Sequence, residues 1–145
     1  MVDQSIQEVE KQKKRYLKRY RKNRACIYRL EAKLSNLEDR LTAIRTPNLT
    51  GMPRGGTPVA KEDLISDKID LEERIKRLKV KSRDLKRAVW NEIDKLEDPR
   101  YCDVLEAYFI DCLSFEEIAD ELGYTERHVY TLYGEAISFL ANADQ

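Results

Sequence analysis

Glycine and proline are scarce, at five and four residues in 145, while 37% of the residues are charged. That composition favours long solvated helices, and the regular recurrence of aliphatic residues sets it apart from a disordered chain. Histidine is nearly absent. His128 stands alone, and the three cysteines, Cys26, Cys102 and Cys112, contain no C-x-x-C spacing. A zinc site of the usual kinds therefore cannot be assembled from one chain, and the cysteines read as reduced, partly buried thiols. Long apolar runs are missing too. None approaches the roughly 20 residues needed to cross a bilayer, and the first twenty residues carry no signal-peptide core. A soluble, cytoplasmic protein without membrane contact is expected. No glycine-rich phosphate loop, H-E-x-x-H or G-x-S-x-G is present, so the expectation is a non-enzyme with no cofactor and no metal.

Net charge is also absent, 27 Lys and Arg against 27 Asp and Glu, but the balance conceals an asymmetry. Residues 1–98 hold 25 basic and 17 acidic residues, whereas residues 99–145 hold 2 and 10. The basic half is thereby marked as a surface for a polyanion.

What is abundant is helical periodicity. Ile6, Val9, Lys13, Tyr16, Tyr20, Asn23, Ile27, Leu30, Leu34, Leu37, Leu41 and Ile44 fall at alternating spacings of three and four, the seam of a coiled coil. A second seam runs through Leu64, Lys68, Leu71, Ile75, Leu78, Ser82, Leu85, Val89, Glu92 and Leu96. Ile65, Ile69 and Ile93 lie off that seam and widen the apolar face beyond the needs of two helices, which points to a homo-oligomer or to contact with the C-terminal region.

Between the seams, TPNLTGMPRGGTPVA (46–60) carries three prolines and three glycines and ends both helices. It is long for a helix–helix connection, and Met52 and Arg54 within it are candidates for partner contact. The architecture that follows is all-α: helices over 3–45 and 61–97 form a long antiparallel coiled-coil hairpin (1–98), followed by a small domain (99–145). With Ile44 opposite Leu64, residues 11–24 lie beside roughly 84–97.

The segment KQKKRYLKRYRKNR (11–24) holds Lys11, Lys13, Lys14, Arg15, Lys18, Arg19, Arg21, Lys22 and Arg24 with no acid, interleaved with Tyr16 and Tyr20. Six to ten phosphate contacts give a protein a large, salt-sensitive affinity for nucleic acid, and tyrosine hydroxyls can add bonds to phosphate oxygens. The bland alternative is a solvated helix face that neutralises the acidic C-terminal region.

After Asp98-Pro99, a helix start, Tyr101, Leu105, Tyr108 and Cys112 share one face. Ser114 with Glu117 three positions on forms a capping box. Gly123 allows a left-handed turn, and Thr125 can cap the helix after it. The spacing of Ala119, Gly123, Val129 and Leu132 fits a helix-turn-helix.

The segment from Val104 to Leu140, including "LSFEEIADELG" and "TERHVYTL", resembles the promoter-reading C-terminal domain of sigma-70 factors (region four). The whole layout, a helical N-terminal half, a tip containing "GMPRGG" and a domain with "VYTLYGEAI", resembles phage-encoded late-gene transcription regulators of the RinA and ArpU type. The resemblance implies that Thr125 contacts phosphate and that Glu126, Arg127, His128, Tyr130 and Thr131 face the groove of double-stranded DNA. It also implies host RNA polymerase as a partner, for which the acidic Glu116, Glu117, Asp120 and Glu121 are available. His128 and Tyr130 stand where sigma factors place arginines, and Cys112 stands where a glycine often ends the preceding helix. Gly134 inside the second helix costs about 1 kcal/mol relative to alanine.

Three functions follow. The first is a sequence-specific DNA-binding regulator, an activator of phage or prophage genes. The second is a polymerase-binding adaptor that barely touches DNA, and the third is a small DNA-packaging (terminase) recognition subunit.

Overall fold

The structure, a computed structural model, describes residues 2–45 and 58–143, with side chains described for 4–44 and 61–143. It is all-α: α1 (Val2–Arg45), α2 (Pro58–Ile93), α3 (Pro99–Phe109), α4 (Phe115–Leu122) and α5 (Glu126–Ala143). The first two form an antiparallel coiled-coil hairpin, and the last three build a helix-turn-helix domain. The expected tip contacts Met52 and Arg54 lie outside the described residues.

The packing divides the chain into two compact units, residues 1–23 with 82–145, and residues 24–81. The division expected at 98/99 therefore takes a different form. The reason is a shared core: Leu17, Tyr20, Leu85, Val89, Ile93 and Leu96 pack with the buried side chains of α3, α4 and α5. Burying apolar surface contributes roughly 25 cal/mol per Å², so two helix ends that join such a core belong to it.

In residues 24–81 the seam is the simple one. Ile27, Leu30 and Ile75 are buried, with Cys26, Leu34, Leu71 and Leu78 packed against them, and Lys79 Nζ lies 3.0 Å from Glu31 Oε1. Ile44, the expected end of the seam, is exposed. In the larger unit the antiparallel register is given by two polar pairs. Lys13 Nζ meets Glu92 Oε2 at 3.2 Å, and Asn23 Nδ2 donates to Ser82 Oγ at 2.6 Å. The expected register would have set Lys13 opposite position 95, so α2 is displaced by nearly one turn.

Three further differences from the expectation concern the same helices. Leu17 is fully buried and Tyr16 exposed, although Tyr16 was the expected seam residue. Ile93, expected off the seam, is buried in the core. In both places burial moves one residue along because the helix faces the C-terminal domain as well as its hairpin partner. Also, α2 stops at Ile93 rather than near 97. The Leu96 amide bonds to Ile93 O at 3.0 Å, which turns the chain and drops Leu96 into the core. Asp98 then caps α3, accepting from the Arg100 amide, with Pro99 in its first turn. Proline lacks the donor that this position would leave unsatisfied.

Candidate nucleic-acid interface

The turn between α4 and α5 is specified by local chemistry. The Ser114 hydroxyl accepts from the Glu117 amide and the Glu117 carboxylate accepts from the Ser114 amide, each at 3.2 Å. That reciprocal box satisfies two donors that a helix start would leave orphaned. Gly123 ends α4 at φ 74° and ψ 28°, its amide bonding to Ala119 O; a left-handed residue is where glycine escapes the Cβ clash. Thr125 Oγ1 accepts from the His128 amide at 3.1 Å and opens α5. Before α4, Cys112 adopts φ 61°. A side chain in that conformation costs on the order of 1 kcal/mol, and this is the position at which the resemblance to sigma-70 region four led us to expect a glycine.

Helix α5 buries Val129, Leu132, Tyr133, Ala136, Ile137 and Leu140 against the core. The opposite face is open. Glu126, Arg127, His128, Tyr130 and Thr131 are all exposed, as is Thr125 just ahead of them. Three of these side chains are oriented by neighbours. The Tyr130 ring packs 4.4 Å from that of Phe115, His128 stands edge-on to Tyr124 at 4.8 Å, and the Thr131 hydroxyl donates to Arg127 O. Gly134 lies on the same face, and a Cβ there would meet nothing within 4 Å. The structure thus leaves the five expected groove-facing residues and the expected phosphate contact Thr125 all exposed at the start of α5. Of the expected partner contacts, Glu116, Asp120 and Glu121 are exposed on α4, whereas Glu117 is engaged in the capping box.

The basic segment behaves differently from the expectation, because a helix wedged between two partners cannot present every cation to solvent. Lys13 is 8% exposed and paired with Glu92. Arg21 Nη1 donates to the carbonyls of Tyr108 at 2.8 Å and Leu113 at 3.1 Å. Its guanidinium also lies 4.3 Å from the Tyr108 ring. Arg21 therefore holds together the end of α3 and the start of the α4 turn, at the negative end of the α3 dipole. Lys14 is half-buried, with Nζ 5.7 Å from the Tyr133 ring, and Arg19 folds back over Tyr16 at 4.1 Å. Lys11, Arg15, Lys22 and Arg24 are exposed and Lys18 is half-buried.

Sequence reasoning missed the clamp made by Arg21 and the aromatic cluster behind it. The Tyr108 ring stacks on Phe115 at 4.7 Å and meets Tyr133 edge-on at 5.4 Å. The density of aromatic residues between 108 and 133 was its only local signal. Burial pushes the Tyr133 hydroxyl up to about 12, so it stays neutral, and the bond from the Tyr101 hydroxyl to Glu135 Oε2 (2.8 Å) raises that phenol above its ordinary value.

Together these features define an all-α protein in which a helix-turn-helix, braced by the base of a helical hairpin, presents one polar helix face. Residues 44–141, more than half of the chain, match the family described as "Protein of unknown function (DUF1492)", and the chain belongs to that family. No curated protein and no solved structure matches it. Among the described residues no helix is long and apolar enough to cross a membrane.

Proposed function

We propose that this protein is a sequence-specific DNA-binding transcription regulator, an activator of phage or prophage genes, acting in the cytoplasm. The observation that carries the reading is the exposed face over the first two turns of α5, at the open side of a capped helix-turn-helix. In this arrangement α5 enters the major groove. Arg127 offers the guanidinium that pairs with a guanine edge, Glu126 accepts from a cytosine amine, and Thr131 reaches a base edge or a thymine methyl. The likeness of Val104–Leu140 to the sigma-70 promoter-reading domain, and of the whole layout to RinA- and ArpU-type regulators, supports the same reading. Exposed Ile69 and Val80 on α2 support self-association into a homo-oligomer, which would pair half-sites on the DNA.

The test is binding of the full chain to duplexes by fluorescence anisotropy across a salt series, using sequences from a random-pool selection and a scrambled control. Preference for the selected duplex together with a steep salt slope is the expected result. Weak binding that ignores sequence would overturn the reading. One observation favours a second reading: Glu116, Asp120 and Glu121 project from α4 with no ion pair among the described residues. In that reading the chain is an adaptor that offers this acidic face to RNA polymerase. Co-elution with polymerase in the absence of DNA, abolished by the triple change to Gln and Asn, would favour it.

A further inference from the structure

The nine cations of residues 11–24 have separated into groups, and the separation follows helix geometry. Residues 10, 14, 17 and 21 form the row by which α1 docks on the C-terminal domain. Glu10 accepts from Ser138 Oγ, Lys14 lies over Tyr133, Leu17 is fully buried in the shared core, and Arg21 holds the carbonyls of Tyr108 and Leu113. One residue beyond each of these stands a cation: Lys11, Arg15, Lys18 and Lys22. A step of one residue turns an α-helix by about 100°. The four therefore make a second row, roughly 16 Å long at 1.5 Å per residue. None of them carries an ion pair among the described residues.

Where this row faces follows from the direction of the helices. Glu10 meets Ser138 and Lys14 meets Tyr133, so α1 runs opposite to α5. For two right-handed helices running oppositely, the residue after each docking position on α1 turns to one fixed side of the pair. Here it is the side on which α5 carries Arg127, Thr131 and Gly134. Packed helices lie 8–10 Å apart, axis to axis, and the major groove is about 12 Å wide. A helix that neighbours one seated in the groove thus overlies the phosphate ridge at its edge.

We propose that Lys11, Arg15, Lys18 and Lys22 grip the phosphates of the strand bordering the groove that α5 enters. Lys13, Lys14 and Arg21 hold the fold and supply none of that attraction. The proposal rests on the DNA-binding reading above and specifies how an acidic helix-turn-helix is held to a polyanion: its own four cations come from the neighbouring helix.

The experiment compares the full chain with the variant K11Q/R15Q/K18Q/K22Q on the selected and scrambled duplexes, across the same salt series. Each lost phosphate contact lowers the slope of log Kobs against log salt by about 0.9. The quadruple variant is expected to lose three to four units of slope on both duplexes, keep its preference for the selected one, and unfold at the same temperature as the parent chain. As a counterpart, R127Q/T131A is expected to lose the preference while changing the slope by one unit or less. A parent chain that binds with sequence preference and a quadruple variant with unchanged slope would overturn the proposal and leave the DNA-binding reading standing. A parent chain that binds neither duplex would overturn both.

Discussion

Residues 24–81 are held by one seam between two helices, whereas in residues 1–23 with 82–145 the same two helices share a core with three more. In the seam, Ile27, Leu30 and Ile75 carry the burial, and Tyr28, Ile69 and Val80 stay exposed on the outside. In the larger unit Phe109, Leu105, Ile118, Ile137 and Leu140 are fully buried, and Leu17 and Val89 are drawn in beside them. A helix with one partner has one row to bury. A helix with two partners buries a second row, and whatever residues stand there, cations included, become structural.

The contrast breaks first at Phe109. Phe109→Ala is expected to cost about 3–5 kcal/mol and Leu30→Ala about 2, since a thin seam relaxes around a lost side chain more completely than an enclosed core. Urea unfolding followed by circular dichroism measures both, and equal losses would mean that the two regions do not differ as described. Next comes Arg21→Met, which leaves two carbonyls without their charged donor and is expected to cost about 2 kcal/mol; the same change in an exposed cation such as Lys22 should fall within about 0.5 kcal/mol of zero. Gly134→Ala should stabilise the chain by about 1 kcal/mol, because the added methyl meets nothing and removes a glycine from a helix interior. A drop in thermal midpoint for that variant would reveal a neighbour absent from the geometry above.

The smallest effect at neutral pH is the ionisation of Tyr133. Its folded value, about 12, lies above the ordinary 10. The neutral phenol therefore contributes stability that is fully present below pH 10 and is lost as pH rises through about 12. Unfolding midpoints measured from pH 9 to 12 should fall more steeply for the parent chain than for Tyr133→Phe. Parallel curves would show that the ring tolerates charge.

Much of this was legible in the sequence, and the reason is local. The capping box at Ser114 and Glu117, the left-handed Gly123 and the cap at Thr125 depend on residues within a few positions of one another. The exposed face of α5 follows from helical periodicity once its buried face is recognised. The seam from Ile27 to Leu41 was legible for the same reason, since a single partner imposes a single period. Tyr16 and Leu17, or Glu92 and Ile93, could not be sorted that way. Which member of each pair is buried depends on a third layer of helices far along the chain, and so does the fate of Lys14 and Arg21. The end of α2 at Ile93 is equally a tertiary matter, set by the place Leu96 finds in the core.

The pair Asn23 and Ser82 bears on how the chain finds its alignment in the first place. A heptad seam is nearly self-similar, so sliding α2 by seven residues would still bring aliphatic side chains together. It would also leave the Asn23 amide and the Ser82 hydroxyl buried against hydrocarbon, at about 1–3 kcal/mol for each unsatisfied group. One buried polar pair thus acts as an index mark against misregistered folding. It lies one residue beyond Lys22 on α1, so the slip it prevents is one that would carry every cation on that helix about 10 Å out of place along the axis.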